Sequence, residues 1–377
     1  MSLKIAIQPD EMVHPTGQHQ SFSERWIDLA CMRDVEVTAV DVFSPDAIAE
    51  ISVCDAFMWR YPSSAGVRNY GMRLMYAIEI GLGIPCFPDL NSLWYYENKP
   101  AQCYFFEAAE VPSPDTHIFW TREDAERFCE TATFPFVLKL AGGHQSLNVR
   151  LVHNQREAKF YLDELFNEGV ISLGYLPGSG IRLLVRHLRG AVNVIEGHCP
   201  HGSYAEAELQ YGYFYIQEFL PGNKFEISII IIGNRAFAVR RFAHPGDFRT
   251  RGSTGRMDWD WQAIDENAIR LAYHTAIKLR TLTIAVDILY RGPEPLIVEL
   301  TLNYASWVVE ACPGHWVLDG DPKSGKLTWV DGAMRAEDAI FDDFVGALRR
   351  SACATDTARH VTKPYLPLAT RGHRIPT

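Results

Sequence analysis

Five arginines fall within one strand-like run and the loop that follows it: Arg240, Arg241, Arg249, Arg251 and Arg256. The loop reads DFRTRGSTG, from Asp247 to Gly255. A guanidinium binds planar anions through two parallel hydrogen bonds, and an acidic protein gains little fold stability by gathering so many cations, so the segment suits a phosphate or carboxylate. A solvated strand edge would account for the same arginines, with Asp247, Asp258 and Asp260 as their surface partners.

Two lysines and two carboxylates extend this chemistry. Lys139 sits inside the apolar run FPFVLKL, where a charge is costly unless an anion meets it, and Lys99 lies upstream of it. A buried stem whose ammonium reaches solvent is the alternative for either lysine. Asp287 and Glu299 lie in the apolar runs TIAVDILY and LIVEL and would stand side by side if those runs form a hairpin. Paired carboxylates repel unless a cation intervenes. Magnesium, which takes one or two carboxylates together with substrate phosphates, suits them better than zinc or iron; protonation of one, or pairing with an arginine, would serve too. His198, Cys199 and His201 in GHCPH match no zinc-binding spacing.

The whole chain sets the frame for these residues. Its 377 residues, 47% hydrophobic and 22% charged, are enough for two or three domains packed as one body. A net charge of -10 argues against general nucleic-acid binding, which needs a broad basic surface, so any anion site must be local. The strongest apolar run, Ile227 to Ile232, is far short of the roughly 20 residues that span a bilayer. The start runs directly into LKIAI without a signal-peptide pattern, so the protein is expected in the cytoplasm. The eight cysteines form no framework and no Cys-x-x-Cys, as expected of reduced thiols.

The elements that must position the site alternate at first between strand and helix. LKIAI, VEVTAVDV, CDAFMWRY and IPCF read as strands, with a helix capped by Ser21 or Ser23 running to Met32 and another from about Val67 to Gly81. That pattern implies a parallel, doubly wound sheet, with His14, Arg60 and Tyr61 at or just past strand ends where ligands bind. Further along come helices near Ala101 to Ala109 and Arg122 to Thr131. FPFVLKL and RLVHN read as a hairpin whose glycine-bearing tip, AGGHQSLNV, offers backbone amides to phosphates. The stretch from 174 to 212 reads as a lid or extra hairpin. After it come the strand YFYIQEFL, a helix from about Asp265 to Leu279, the two acidic strands and an aromatic-rich loop. The end from about Ser351 reads as poorly ordered.

In order, ENKP, FPFVLKLAGGHQSLNV, YIQEFLPGNKFEISIIIIGNRAFAVRR, DFRTRGSTG and AVDILYRGPEPLIVEL resemble the ATP-grasp superfamily, closest to its ribosomal-protein glutamate ligase and glutathione synthetase branch. The resemblance runs from about Ile84 to Asn303. It implies an α/β protein, α+β in its ATP-binding part: an N-terminal parallel domain (1–93), a central subdomain with a phosphate-covering loop (94–172), a C-terminal subdomain with the possible lid 174–212 (173–345) and a tail (346–377). It implies ATP and Mg2+ as cofactors. Lys99 and Lys139 would contact the phosphates, covered by Gly142 and Gly143. Gln217, Glu218, Phe219 and Leu220 would form the adenine hinge, with Glu226 at the ribose. Asp287, Glu299 and Asn303 would hold metal, and Arg240 and Arg249 would stabilise the transferred phosphoryl group or the substrate carboxylate. The family places Asn two residues after the metal-binding Glu; Thr301 stands there here, so Asn303 would be displaced by about 7 Å unless a bulge intervenes.

The activity implied is carboxylate–amine ligation through an acyl phosphate, on a small-molecule, peptide or glycan-linked acid, in a chain that could dimerise. The other reading is a nucleotide-binding protein without ligase chemistry. Arg60, His14, the segment 174–212 and the aromatic loop around Trp307 and Trp316 are the candidate selectors of substrate.

Overall fold

The computed structural model describes residues 2–10, 12–13, 19–63, 65–142, 148–172, 208–243, 247–249 and 256–357. His14, Gly143, Arg251, the GHCPH cluster and most of the segment 174–212 therefore lie outside the described residues.

The first ninety residues form the expected parallel sheet, ordered Val35–Ala39, Leu3–Gln8, Ala56–Trp59 and Cys86–Phe87. Parallel strands are covered on both faces, and each residue from Ala56 to Trp59 is buried. Alternate residues of one strand serve different cores: Ile5 and Ile7 join one, Ala6 the other. Ser21 starts the helix Phe22–Met32, its hydroxyl accepting from the Glu24 amide at 3.1 Å.

A four-stranded antiparallel sheet follows, ordered Thr116–Phe119, Phe214–Glu218, Phe136–Lys139 and Val149–Val152. Phe136–Lys139 and Val149–Val152 pair antiparallel, as the sequence predicts; Thr116–Phe119 is a strand that the sequence analysis does not mark. Phe136, Leu138, Phe214 and Ile216 pack beneath the helices Arg122–Thr131 and Gln155–Asp163. Val137, Lys139 and Gln217 occupy the opposite face.

The third sheet is the largest. Its order is Glu294–Thr301, Thr283–Arg291, Phe225–Ile232, Arg235–Phe242, Gly314–Asp319 and Lys326–Asp331, with Met257–Asp258 pairing beside Arg235–Phe242. Ile227, Ile229 and Ile231 point to the helices Glu266–Leu279 and Lys99–Ala108. Ile230 and Ile232, on the other face, share a core with Ile5, Met58 and Phe87 of the parallel sheet and with Ile340, Phe341 and Phe344 of the last helix. Beyond Ile230 that second face turns polar, through Ser228 and Glu226, and there several of the candidate residues gather.

Two stretches differ from expectation. The helix Ala336–Thr357 runs through Ser351, where the sequence reads as poorly ordered; its apolar stripe of Ile340, Phe341, Phe344 and Val345 joins the shared core. The aromatic segment near Trp316 contains the strands Gly314–Asp319 and Lys326–Asp331, where Trp329 stacks on Trp261 and meets Trp316 edge-on. From the 174–212 region, Glu208–Gln210 pairs antiparallel with Val170–Ser172.

Candidate functional site

Asp287 and Glu299 are direct cross-strand partners, as the two-strand reading requires. Cross-strand partners share a face, and the register Glu226↔Arg241, Ser228↔Asp287 and Asp287↔Glu299 sets five polar residues on four adjacent strands of one face. The Ser228 hydroxyl donates to Asp287 Oδ1 at 2.7 Å. Arg241 places Nη2 between two carboxylates, 2.6 Å from Asp287 Oδ2 and in closer contact still with Glu226.

Both lysines reach this face from other elements. Lys99 begins the helix Lys99–Ala108, where Asn98 caps by accepting from the Ala101 amide at 3.1 Å, and its ammonium lies 3.0 Å from Glu299 Oε1. Lys139 ends its strand and donates to the Val298 carbonyl at 3.3 Å. Val298 is the extra residue of a bulge, since Glu299 pairs with Asp287 while Ile297 pairs with Ile288. The backbone ties the lysines together: the Lys99 amide donates to the Ala141 carbonyl at 3.0 Å. Gly142 follows, its carbonyl accepting from Asn148 Nδ2 at 3.0 Å.

The electrostatics separate the two ammonium groups. Burial pushes Lys139 down to about 8, with Glu299 opposing the shift and Lys99 adding to it. Burial also acts against charge on Lys99, but Glu299 and Glu97 outweigh it and hold its proton more firmly than usual. Burial disfavours ionised Glu299; Lys99 and Lys139 overcome this and keep it below its ordinary range. Glu226, Asp287 and Glu299 thus share this face with Lys99, Lys139 and Arg241, and Glu97 acts on Lys99 as a further carboxylate. Among the described residues no group of three or more His, Cys, Asp or Glu is arranged to hold a metal ion by itself.

Of the two arginines singled out by sequence, neither joins this face. Arg240 lies opposite Ile227, one residue out of phase with the carboxylates, and pairs with Asp258 while its guanidinium lies over Phe225 at 5.4 Å. Arg249 is chelated by its own loop, Nε at 2.9 Å and Nη2 at 3.0 Å from the Asp247 carboxylate. In this structure both make the local ion pairs of the strand-edge reading. Sequence groups Arg241 with the other arginines and gives it no role of its own; Arg240 and Arg241 are adjacent, and only the register reveals which one shares a face with Glu226.

The proposed adenine hinge lies where the small and large sheets join. Gln217 is buried and donates to Thr116 Oγ1 at 3.1 Å. Glu218 is held by Arg291, whose Nε donates at 3.1 Å, and its amide donates to the Asp115 carbonyl at 2.8 Å. Phe219 meets Phe248 edge-on with ring centroids 5.9 Å apart, and Leu220 is buried. Asn303 lies past the end of its strand; the bulge precedes Glu299 and does not bring Asn303 back toward it. Instead Arg60 donates to Asn303 Oδ1 at 3.3 Å and to the Tyr304 carbonyl at 3.2 Å. Arg60 also lies 3.5 Å from Asp10 and over the Phe22 ring at 4.0 Å. Tyr61, buried, donates to the Arg68 carbonyl.

No protein-family model matches the chain, and no curated protein matches it. Several solved structures are similar to it. One is a RimK domain ATP-grasp protein from Sphaerobacter thermophilus: 15% identity, 79% of this chain and 90% of that one, TM-score 0.47. Another is a D-alanine–D-alanine ligase from Bacillus anthracis complexed with ATP: 13% identity, 80% and 86%, TM-score 0.46. A third is an N5-carboxyaminoimidazole ribonucleotide synthetase from Thermotoga maritima: 13% identity, 82% and 72%, TM-score 0.48. At TM-scores below 0.5 these likenesses assign no role to any residue of this chain.

Proposed function

We propose that this chain is an ATP-dependent carboxylate–amine ligase of the ATP-grasp type. The observation that carries the reading is the meeting of Lys99 and Lys139, from two separate elements, with the Asp287–Glu299 pair between two antiparallel sheets. Two buried lysines, Lys99 fixed against the Glu299 carboxylate and Lys139 against the neighbouring Val298 carbonyl, suit a phosphate chain, because phosphoryl transfer requires positioning and charge neutralisation more than a nucleophilic side chain. Asp287 and Glu299 present the hard oxygen donors that Mg2+ accepts beside phosphate oxygens; bound there, the ion would neutralise charge on the phosphates. Gln217 to Leu220 would receive the adenine, Glu226 the ribose, and Gly142 with Gly143 would cover the phosphates.

In the reaction, a substrate carboxylate oxygen bonds to the γ-phosphorus and ADP leaves. An amine nitrogen then bonds to the acyl carbon, phosphate departs, and the amine loses a proton. Lys99 stays charged throughout and holds Glu299 in place. Lys139 presents its ammonium from the facing sheet, and Arg249, on leaving Asp247, would meet the substrate carboxylate or the transferred group. The cytoplasm is the proposed location; among the described residues no helix is long and apolar enough to cross a membrane.

The test measures ADP and phosphate release from MgATP against pooled carboxylic acids, amino acids and amines, with Glu299→Gln and Lys139→Met as controls. Release that needs both an acid and an amine, and is lost in both variants, is expected. The second reading, nucleotide binding without ligation, is favoured by Thr301 in place of the asparagine and by the local pairing of Arg240 and Arg249. It predicts MgATP binding that no pool converts into turnover.

A further inference from the structure

The position of Arg241 bears on how charge reaches this site, an inference that rests on the nucleotide reading above. One nitrogen, Nη2, contacts Glu226 and Asp287 together; the side chain is about one-fifth exposed, and its Nε is buried and without a hydrogen-bond partner. Burial disfavours its charge, yet Asp287 and Glu226 outweigh that and hold the proton well above the ordinary arginine range. A guanidinium does not lose its proton at any working pH, so this charge can leave only by moving. Lys99 and Lys139 lie toward Glu299 and Val298, whereas Arg241 contacts both Glu226 and Asp287.

We propose that Arg241 is a positioning residue that acts as an internal counter-cation. It holds Glu226 and Asp287 together and keeps a free divalent metal from binding Asp287 until nucleotide phosphates arrive. While the guanidinium holds both carboxylates, a free divalent ion approaching Asp287 meets a cation already in contact with its oxygens. Incoming phosphates add negative charge, compete with Asp287 for the guanidinium and complete the oxygen donors that the protein lacks. Metal then enters with nucleotide rather than before it.

The test uses the full chain without nucleotide and follows free Mn2+ by its paramagnetic resonance signal. The wild type is expected to leave millimolar Mn2+ free, and to bind it when a non-hydrolysable ATP analogue is added. Arg241→Met removes the charge at similar length and is expected to bind Mn2+ alone at least about tenfold more tightly, ~1.4 kcal/mol. Adding Asp287→Asn must abolish that gain; a gain that survives belongs to the acidic surface and overturns the assignment. Equal Mn2+ binding by wild type and Arg241→Met also overturns it. Should Arg241→Met not fold by circular dichroism, the wild type decides, because Mn2+ bound tightly there without nucleotide refutes the exclusion. Fluorescence of a labelled ATP analogue is read separately. Its failure to bind would remove the nucleotide reading, while the Mn2+ gain of Arg241→Met would still report on the Arg241 bridge.

Discussion

Lys99 and Lys139 show how little residue type fixes on its own. Both are buried, but Lys99 has a carboxylate oxygen as its partner and Lys139 a neutral carbonyl, and their protons are held with unequal strength. Lys139, at about 8, loses its charge as the pH rises from 7 to 9. MgATP affinity is expected to fall across that interval, and Lys139→Arg to flatten the profile, as checked by titration with a fluorescent ATP analogue. Stability should move the other way. The unfolded chain binds this proton up to the ordinary lysine range near 10.5 and the folded chain only to about 8, so between these values unfolded protein holds more protons and the contribution of Lys139 to stability rises with pH. Denaturant midpoints of wild type and Lys139→Met, compared across that window, test the sign.

At the scale of elements, the site depends on how the helix Lys99–Ala108 is seated. Gln102, fully enclosed, donates through Nε2 to the Leu300 carbonyl at 2.8 Å and to that of Tyr95 at 3.1 Å, and accepts from the Leu300 amide at 3.0 Å. It pins the helix that begins with Lys99 to the strand that carries Glu299. Gln102→Ala leaves buried backbone groups without partners, at about 1–3 kcal/mol for each. Urea unfolding should show that loss, and KM for ATP should rise as Lys99 shifts from Glu299. A glutamine in the helical sequence KPAQCYFFEA reads as an ordinary polar position; its role emerges only when the strand is placed beside it. The bulge at Val298 is similar. Nothing in LIVEL marks an extra residue, yet it aims the carbonyl that accepts from Lys139.

Across the whole molecule, the last helix joins the parallel sheet to the large antiparallel one. Phe341 is fully buried among Ile5, Phe87, Ile230 and Phe237 residues of both layers, and Asp338 receives two bonds of 2.7 Å from Arg25. Phe341→Ala is expected to cost about 3–5 kcal/mol and to lower the unfolding of both layers together, seen as coincident fluorescence and circular-dichroism transitions. Arg60 forms a second tie, from the end of the strand Ala56–Trp59 to the turn at Asn303 and Tyr304. Arg60→Ala would leave Asp10 facing an empty place beside Phe22, and should lower stability more than Arg60→Lys does, as thermal denaturation would show.

Much was set by sequence alone. Hydrophobic alternation and turn residues mark the parallel domain, the paired strands around Lys139 and the acidic strand pair, because period and breakers are local properties of the chain. The lysines and the two metal-type carboxylates stood out because charge inside an apolar run is costly wherever the run folds. Tertiary structure decided the rest: that Arg241 and not Arg240 faces Glu226, that Arg60 holds Asn303, and that the final helix is core. Each of these depends on which residues far apart in the chain share a face, and side-chain phase across neighbouring strands is fixed only by register, which no local pattern contains.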